Sequence, residues 1–316
     1  MAVNVWSAAG AGNWNVAGNW SLGHVPQAGE DVVFDNTSVQ DCTLDVNTAD
    51  LGDFTIADIY TGTFTFQAFK SISATGDWYF GTMATLVYAA FSQIYIKAAA
   101  AQTITSNGNT LPRLNDWPAV AGSVQLADPL TCQQISIVAI PFDQNGHAIT
   151  TTTATVSITS AGSVLDDEVT LAVGTISFNG AADWSAATVT LLTGGSVSTF
   201  ASTTVRRLIL TVGQTYTFTA AIGSPLVISN YTAGDWDGTV LTGLVTWYMS
   251  APAGVVVSNV NVANSNNGGP EIDASDGTNT DGGGNTGWNF GGGGGGGGGV
   301  PGHSCSSVSV GVGVGT

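Results

Sequence analysis

Along most of the chain, apolar and polar residues alternate almost one by one in short runs. "TGTFTFQAF" (61–69), "SQIYIKA" (92–98), "QQISIVAI" (133–140), "TATVSITS" (153–160), "EVTLAVGTISF" (168–178), "ATVTLL" (187–192), "RLILTV" (207–212) and "TYTFTA" (215–220) share this pattern. A period of two sets Val, Ile, Leu, Phe and Tyr on one face of an extended strand, and β-branched and aromatic residues suit that half-buried surface. Helical spacing is interrupted by Gly, Thr or Ser almost everywhere, and strong helix formers such as Lys, Glu and Arg are scarce. The pattern predicts an all-β chain with strands of about five to eight residues.

Turn chemistry separates the runs. Asn-Gly corners fall at Asn107-Gly108, Asn145-Gly146 and Asn179-Gly180, 38 and 34 residues apart. That spacing fits two turns each of a coil with somewhat under twenty residues per rung. A second, degenerate repeat is Asp-Trp, at Asp77-Trp78, Asp116-Trp117, Asp183-Trp184 and Asp235-Trp236. Alternation alone is equally compatible with an antiparallel β-sandwich or jelly roll.

The phrases "QTITSNGNTL", "IPFDQNGHAITT" and "GTISFNGAADWSAATVTL" combine strand, Asn-Gly corner and strand. They resemble rungs of the right-handed parallel β-solenoids of phage virion proteins and bacterial surface adhesins. The resemblance implies rungs stacked by backbone hydrogen bonds around columns of inward apolar residues. It also implies end caps, because an uncovered terminal rung exposes both core and strand edge. "NWSLGHVPQAGEDVVF" resembles such a start, with Trp14, Trp20 and Leu22 over the first rung and Val32, Val33 and Phe34 opening the first strand. "IDASDGTNTDGGGNTGWNF" (272–290) resembles a closing segment, with Trp288 and Phe290 as the last packed rings. The expected organisation is a cap segment over 1–30, a solenoid over 31–290 and a Gly-rich tail over 291–316. The tail holds nine consecutive glycines and then "SVSVGVGVGT", an alternating run able to add to a partner's sheet edge.

Composition narrows the function. The 316 residues include 22 Asp and Glu against 5 Lys and Arg, a net charge of −17. Only Arg206-Arg207 approaches a basic cluster, which argues against nucleic acid and against an anionic membrane. No apolar run reaches the length of a membrane span. The start "MAVNVWSAAGAGNW" has neither a basic region nor a continuous apolar core, so no secretory signal is visible. The expectation is synthesis in a cytoplasm and release within a particle. Cys42, Cys132 and Cys305 are odd in number and widely spaced, which suits inert buried thiols.

Candidate chemistry is sparse. His24, His147 and His303 lack a nucleophile or carboxylate at motif spacing, so no catalytic residue is assigned. In "LDDEV", Asp166 and Glu168 point to one face of a strand and could act as a carboxylate pair of a polysaccharide depolymerase, whereas Asp167 points away. Asp273, Asp276, Asp281 and Asn285 offer oxygen ligands for Ca²⁺, without the spacing of an EF-hand. No cofactor is expected otherwise. Thr-X-Thr doublets, among them Thr188-Val189-Thr190, raise ice binding, but they are irregularly spaced. Exposed Trp78, Trp117, Trp184 or Trp236 would stack on host glycans, although a core position is the better account of them.

The resemblance implies a non-enzymatic virion protein of a tailed phage, a fibre, spike or decoration subunit. Its expected partners are identical copies, as a homotrimer, and other virion or surface proteins. "VTWYMSAPAGVVV" (245–257) is the most apolar candidate for the contact between copies. The alternatives are a bacterial extracellular adhesin or surface-filament subunit, and the depolymerase.

Overall fold

The alternating runs become strands that pair in parallel with runs one turn earlier and one turn later. The computed structural model describes residues 1–116, 121–153 and 155–291. It is a β-solenoid of about 12 turns. Three faces follow one another on each turn. Asp31–Phe34, Phe54–Ile56 and Trp78–Phe80 build the first, Cys42–Leu44, Thr63–Phe66 and Thr85–Tyr88 the second, and Ser71–Ala74 and Gln93–Ile96 the third. Phe64 thus lies opposite Cys42 on one side and Leu86 on the other. The sandwich and jelly roll are excluded, since the single antiparallel pairing among the described residues is the isolated Trp6–Trp20 bridge. The 3₁₀ turn Ala17–Asn19 is the sole helical element among them, and no helix is long and apolar enough to cross a membrane.

Inward positions stack into columns. On the second face Ile149, Val169, Val189 and Leu208 lie in register and are all buried, while the intervening Thr150, Thr170 and Thr190 point outward as a hydroxyl row. β-Branched residues serve both sides of the pleat, which is why threonine recurs. The Thr188-Val189-Thr190 doublet presents one outward hydroxyl, because Thr188 is buried and accepts hydrogen bonds from the Arg206 guanidinium.

The N-terminal turns are longer than the Asn-Gly spacing suggests, and the last ones shorten to 18 residues between Trp247 and Ser265 and 16 between Ile272 and Trp288. Hydrogen-bonded neighbours on adjacent turns are 22 residues apart at Asp31 and Asp53, 26 at Asp77 and Thr103, and 19 at Asn259 and Thr278. Three strands and three corners need that much chain. Corners also divide runs that read as single strands. Residues 168–178 form Glu168–Leu171 on the second face and Gly174–Phe178 on the third, with Gly174 turning at φ 118° between them. Conversely Leu130–Ile137 bends without a break, pairing with Ile149–Thr151 on one face and Val156–Ile158 on the next. Asn107-Gly108 and Asn145-Gly146 both adopt positive φ as corners. Asn179-Gly180 does not. There the small residue is needed because a Cβ on Gly180 would sit 2.7 Å from the Ser202 carbonyl oxygen of the next turn.

The N-terminal end is sealed in two ways. Val3–Val5 already forms the first pass of the first face, in register with Asp31–Val33, so the coil begins ahead of the Val32-Val33-Phe34 strand. The outer edge of this first pass is covered by the chain doubling back. Ser21 N–H donates to the Val5 carbonyl, Ser7 N–H to the Asn19 carbonyl, and Val5 N–H to Ser21 Oγ. Beneath lie Trp14 and Trp20, as expected, 4.6 Å apart between ring centroids, joined by Trp6, 5.2 Å from Trp20. Leu22, expected in this lid, is exposed; Trp6 takes the place assigned to it. At the other end Trp288 is buried in the last turn and stacks on the half-buried Phe290 at 6.2 Å. Residues 292–316, with His303, Cys305 and the "SVSVGVGVGT" run, lie outside the described residues, as does Trp117.

Candidate functional site

The acidic excess sits largely at corners, where the chain leaves the ladder and N–H groups need other acceptors. Asp31 Oδ1 accepts from Asp53 N at 2.9 Å, Asp53 Oδ1 from Asp77 N at 2.8 Å, and Asp77 Oδ1 from Thr103 N at 2.7 Å, a chain of carboxylates that ties four turns. Gly76 makes room for it, since a Cβ there would overlap the Asp53 carboxylate. The nearly buried Asp116 accepts from the consecutive N–H groups of Val138, Ala139 and Ile140 on the following turn. Charge-assisted hydrogen bonds of this kind are roughly twice as strong as neutral ones.

The same economy absorbs most of the sequence-derived candidates. Asp166 Oδ1 accepts from Gly146 N at 2.9 Å, and Glu168 is exposed at a strand start. Among the calcium candidates, Asp273 lies on a second-face strand and Asp281 on a third-face strand. Asp273 bonds Ser275, Asp276 bonds Thr278, and Asn285 Oδ1 accepts from Ser265 N. The hydroxyl and N–H of Ser275 hold the Asp273 carboxyl below its ordinary pKa, and the Thr278 N–H does the same first for Asp276. Among the described residues no three His, Cys, Asp or Glu side chains form a group able to hold a metal.

His24 Nε2 lies 2.8 Å from Glu30 Oε1. Partial burial works against the Glu30 carboxylate, but hydrogen bonds from Gln27 N, His24 and Asn4 outweigh it and lower its pKa. Cys42 and Cys132 are buried free thiols, and burial pushes Cys132 up to about 12, leaving it protonated and inert. Trp78, Trp184 and Trp236 are core residues, so their rings are not offered to a surface ligand.

Two surface features escaped the sequence reading. The first is an apolar row along the corner between third and first faces in the C-terminal half. Phe200, Ile222 and the adjacent Leu244 and Val245 occupy three successive turns there, each residue between 68% and 96% exposed. The expected strip 245–257 contributes only Val245 to that row, because Trp247, Met249, Ala251, Val255 and Val257 point into the core and Val256 is its one other exposed large apolar residue. The strip reads as apolar because alternate positions fill the interior.

The second is a groove of about 320 Å³ on the third face, lined by Asn47, Thr48, Asp50, Phe69, Ser71, Ser73, Gln93, Tyr95 and Lys97. Its floor is a register of outward side chains, with Ser71 opposite Gln93 and Ser73 opposite Tyr95. Lys97 Nζ bridges to Asp50 Oδ1 at 2.7 Å. Burial opposes ionisation of Asp50, but the hydrogen bonds from Lys97 and Ser73 prevail and lower its pKa. At the rim, Phe69 is 69% exposed and stacks on Phe91 of the next turn at 5.1 Å and 12°, with the Arg113 guanidinium 4.5 Å from the Phe91 ring centre. The signal for this groove lay at the edges of two alternating runs, with Phe69 closing "TGTFTFQAF" (61–69) and Phe91 just ahead of "SQIYIKA" (92–98), and the structure ends the first strand at Phe66 so that Phe69 falls at the corner.

No family model, curated protein or solved structure matches this chain. The fold and these surfaces define its class, a three-faced parallel β-solenoid.

Proposed function

We propose that the protein is a non-enzymatic structural subunit, a fibre, spike or decoration protein of a tailed phage virion, which assembles with identical copies as a trimer. The observation that carries this reading is the apolar corner row of Phe200, Ile222, Leu244 and Val245. The row exposes large apolar groups in a line parallel to the coil axis, more fully than Val173, Leu192 and Val256 elsewhere on the coil, and side-by-side copies would bury them. The parallel ladder itself makes a stiff rod, and the doubled-back segment at its first turn prevents unlimited end-to-end stacking there. The "LDDEV" carboxylates lend no support to depolymerase activity. Asp166 is engaged with Gly146, and neither Asp166 nor Glu168 lines the third-face groove.

The test is mass in solution. Wild-type protein is expected to sediment as a trimer, and the Ile222→Asp/Leu244→Asp double variant as a monomer with unchanged far-ultraviolet circular dichroism. A wild type that stays monomeric up to millimolar concentration, with and without Ca²⁺, removes the assembly reading. A bacterial surface adhesin or filament subunit is the second reading, favoured by the third-face groove. Neighbouring genes for capsid, portal or tail support the virion, and neighbouring secretion genes support the adhesin.

A further inference from the structure

Charge is distributed unevenly over the coil. Between Val169 and Pro270 the only charged residues are Asp183, Arg206, Arg207, Asp235 and Asp237. Arg206 and Arg207 follow the first-face strand Thr203–Val205, and Asp235 and Asp237 fall between the first-face strand Leu226–Ile228 and the third-face strand Val240–Thr242, so all four belong to the second-face side. Asp183 lies on the first face one turn ahead of Thr203–Val205, bridged to Val164. Four successive turns therefore have uncharged third-face strands (Gly195–Thr199, Thr215–Ala220, Val240–Thr242, Asn261–Val262), uncharged first-face strands (Thr203–Val205, Leu226–Ile228, Trp247–Ser250, Ser265–Asn267) and uncharged corners between the two. Together they form a neutral wedge whose ridge is the row of Phe200, Ile222, Leu244 and Val245, in a chain of net charge −17. The N-terminal turns differ. Asp50, Lys97, Arg113 and Asp116 lie in or beside their third-face strands, and Asp31, Asp53 and Asp77 in or beside their first-face strands.

On the third-face flank of the wedge Ser196 lies opposite Thr217 and Ser198 opposite Thr219, all four outward, and among the described residues none of their hydroxyls meets a hydrogen-bond partner. On the first-face flank Thr204, Val227 and Ser250 stand outward in one column. Small neutral groups beside large apolar ones, with charge excluded, are the composition of the centre of a protein contact. Elsewhere the acidic surfaces of two copies repel, so the wedge is where they can approach most closely. An apolar ridge between two neutral flanks fits a threefold axis parallel to the coil, with the ridge at the axis and each flank against a different neighbour. We propose, building on the assembly reading, that identical copies join through this wedge, the third face of one against the first face of the next and all pointing the same way, while the charged N-terminal turns and their lids stay apart. Each flank is about five residues wide and four turns tall, about 300 Å². A lone pair would cover about 600 Å², in the range of weak contacts, whereas a closed ring of three covers about 1,800 Å² before the ridge is counted, in the range of stable ones. Ring closure is thus what makes the contact hold.

Thr219 and Val227 lie on the two flanks of one turn, both outward. In full-length protein carrying Cys305→Ser, with Cys42 and Cys132 buried, the Thr219→Cys/Val227→Cys variant is oxidised mildly and separated on a non-reducing gel. The expected result is a ladder that ends at the covalent trimer, and monomer alone from either single variant. Covalent dimer from Thr219→Cys alone would mean that third faces meet each other, and no cross-link in a protein that sediments as a trimer would put the contact elsewhere. Either result overturns the proposal and leaves the assembly reading standing. A second measurement needs no added thiol. Ser198→Asp should raise the concentration at which the trimer half-dissociates by at least about tenfold, with unchanged circular dichroism, while Thr170→Asp, outward on the second face, should leave it within about twofold. A wild-type midpoint in Ser198→Asp, alongside dissociation by Ile222→Asp/Leu244→Asp, would reduce the contact to the ridge and also overturn the proposal. A wild type that sediments only as a monomer removes both readings.

Discussion

The first turns and the middle turns solve the same packing problem with different side chains. Between Trp6 and Phe80 the interior is filled by rings. Phe34 alone lies within 5.2 to 6.2 Å of Trp6, Trp14, Trp20, Phe54, Tyr60 and Phe64. Between Ile94 and Ile158 the buried positions are dominated by Ile, Leu and Val, among them Ile104, Leu114, Leu126, Ile135 and Ile149. Each middle turn is covered on both sides by turns like itself, so branched aliphatic residues stacked in register suffice. The first turn has a neighbour on one side only. Aromatic residues bury more area each and mix edge and face contacts, which suits a lid that must close an irregular end. Rings are not confined to the end, since Phe178, Trp184, Phe218 and Trp247 are buried on inner turns, so the contrast is between a lid of clustered indoles and the aliphatic turns that follow it.

Removing one ring at the hub of the lid should have the largest effect. Phe34→Ala is expected to cost about 4 kcal/mol, and Ile135→Ala in the middle about 3 kcal/mol. Chemical denaturation of the two variants compares them directly, and equal or reversed losses would erase the distinction drawn between end and middle. Next is the corner carboxylate between middle turns. Asp116→Ala strands three consecutive N–H groups and should cost about 2–3 kcal/mol, while Asp31→Ala at the more exposed first face should cost under about 1 kcal/mol. A comparable loss at both would mean that burial is not what sets the strength of these carboxylates.

Smaller still is the covering strand. Ser21→Pro removes the N–H given to Val5 and should cost about 1 kcal/mol. Its more telling readout is concentration-dependent elongation in light scattering as the first edge opens. The smallest effect is electrostatic. Glu30 belongs to the lid and has its pKa held below its ordinary value of 4.5. A depressed carboxylate contributes stability above its unfolded pKa and loses it as pH falls through the folded one, so this contribution should fade from about pH 4.5 downward. Glu30→Gln should flatten that part of the stability–pH curve.

The strand inventory was legible because a period of two survives any tertiary arrangement: "TFTF", "QIYI" and "RLIL" alternate in the sequence and in burial alike. Trp14, Trp20 and Trp288 were legible as buried end residues for the same reason that isolated indoles seldom remain in water. The corners were harder. A Gly-Asp or Asp-Trp pair reads as a turn, but whether its carboxylate accepts from its own loop, as Asp273 does, or from the next turn, as Asp53 does, depends on which chain passes beside it. Phe69 and Phe91 are 22 residues apart and became a stack only through the register of Ser71 with Gln93. Residues 245–257 misled because hydrophobicity does not tell which side of a strand faces inward.

By itself, then, the amino-acid order determined local extension, the turn-prone breaks, the shortage of cations and the indoles at the two ends. These follow from backbone sterics and side-chain solvation acting within a few residues. Which positions meet across 16 to 30 residues was decided only when the coil closed. Inter-turn hydrogen bonding then fixed one register for all three faces at once, and the corner carboxylates, the apolar row and the Phe69 groove all follow from that register.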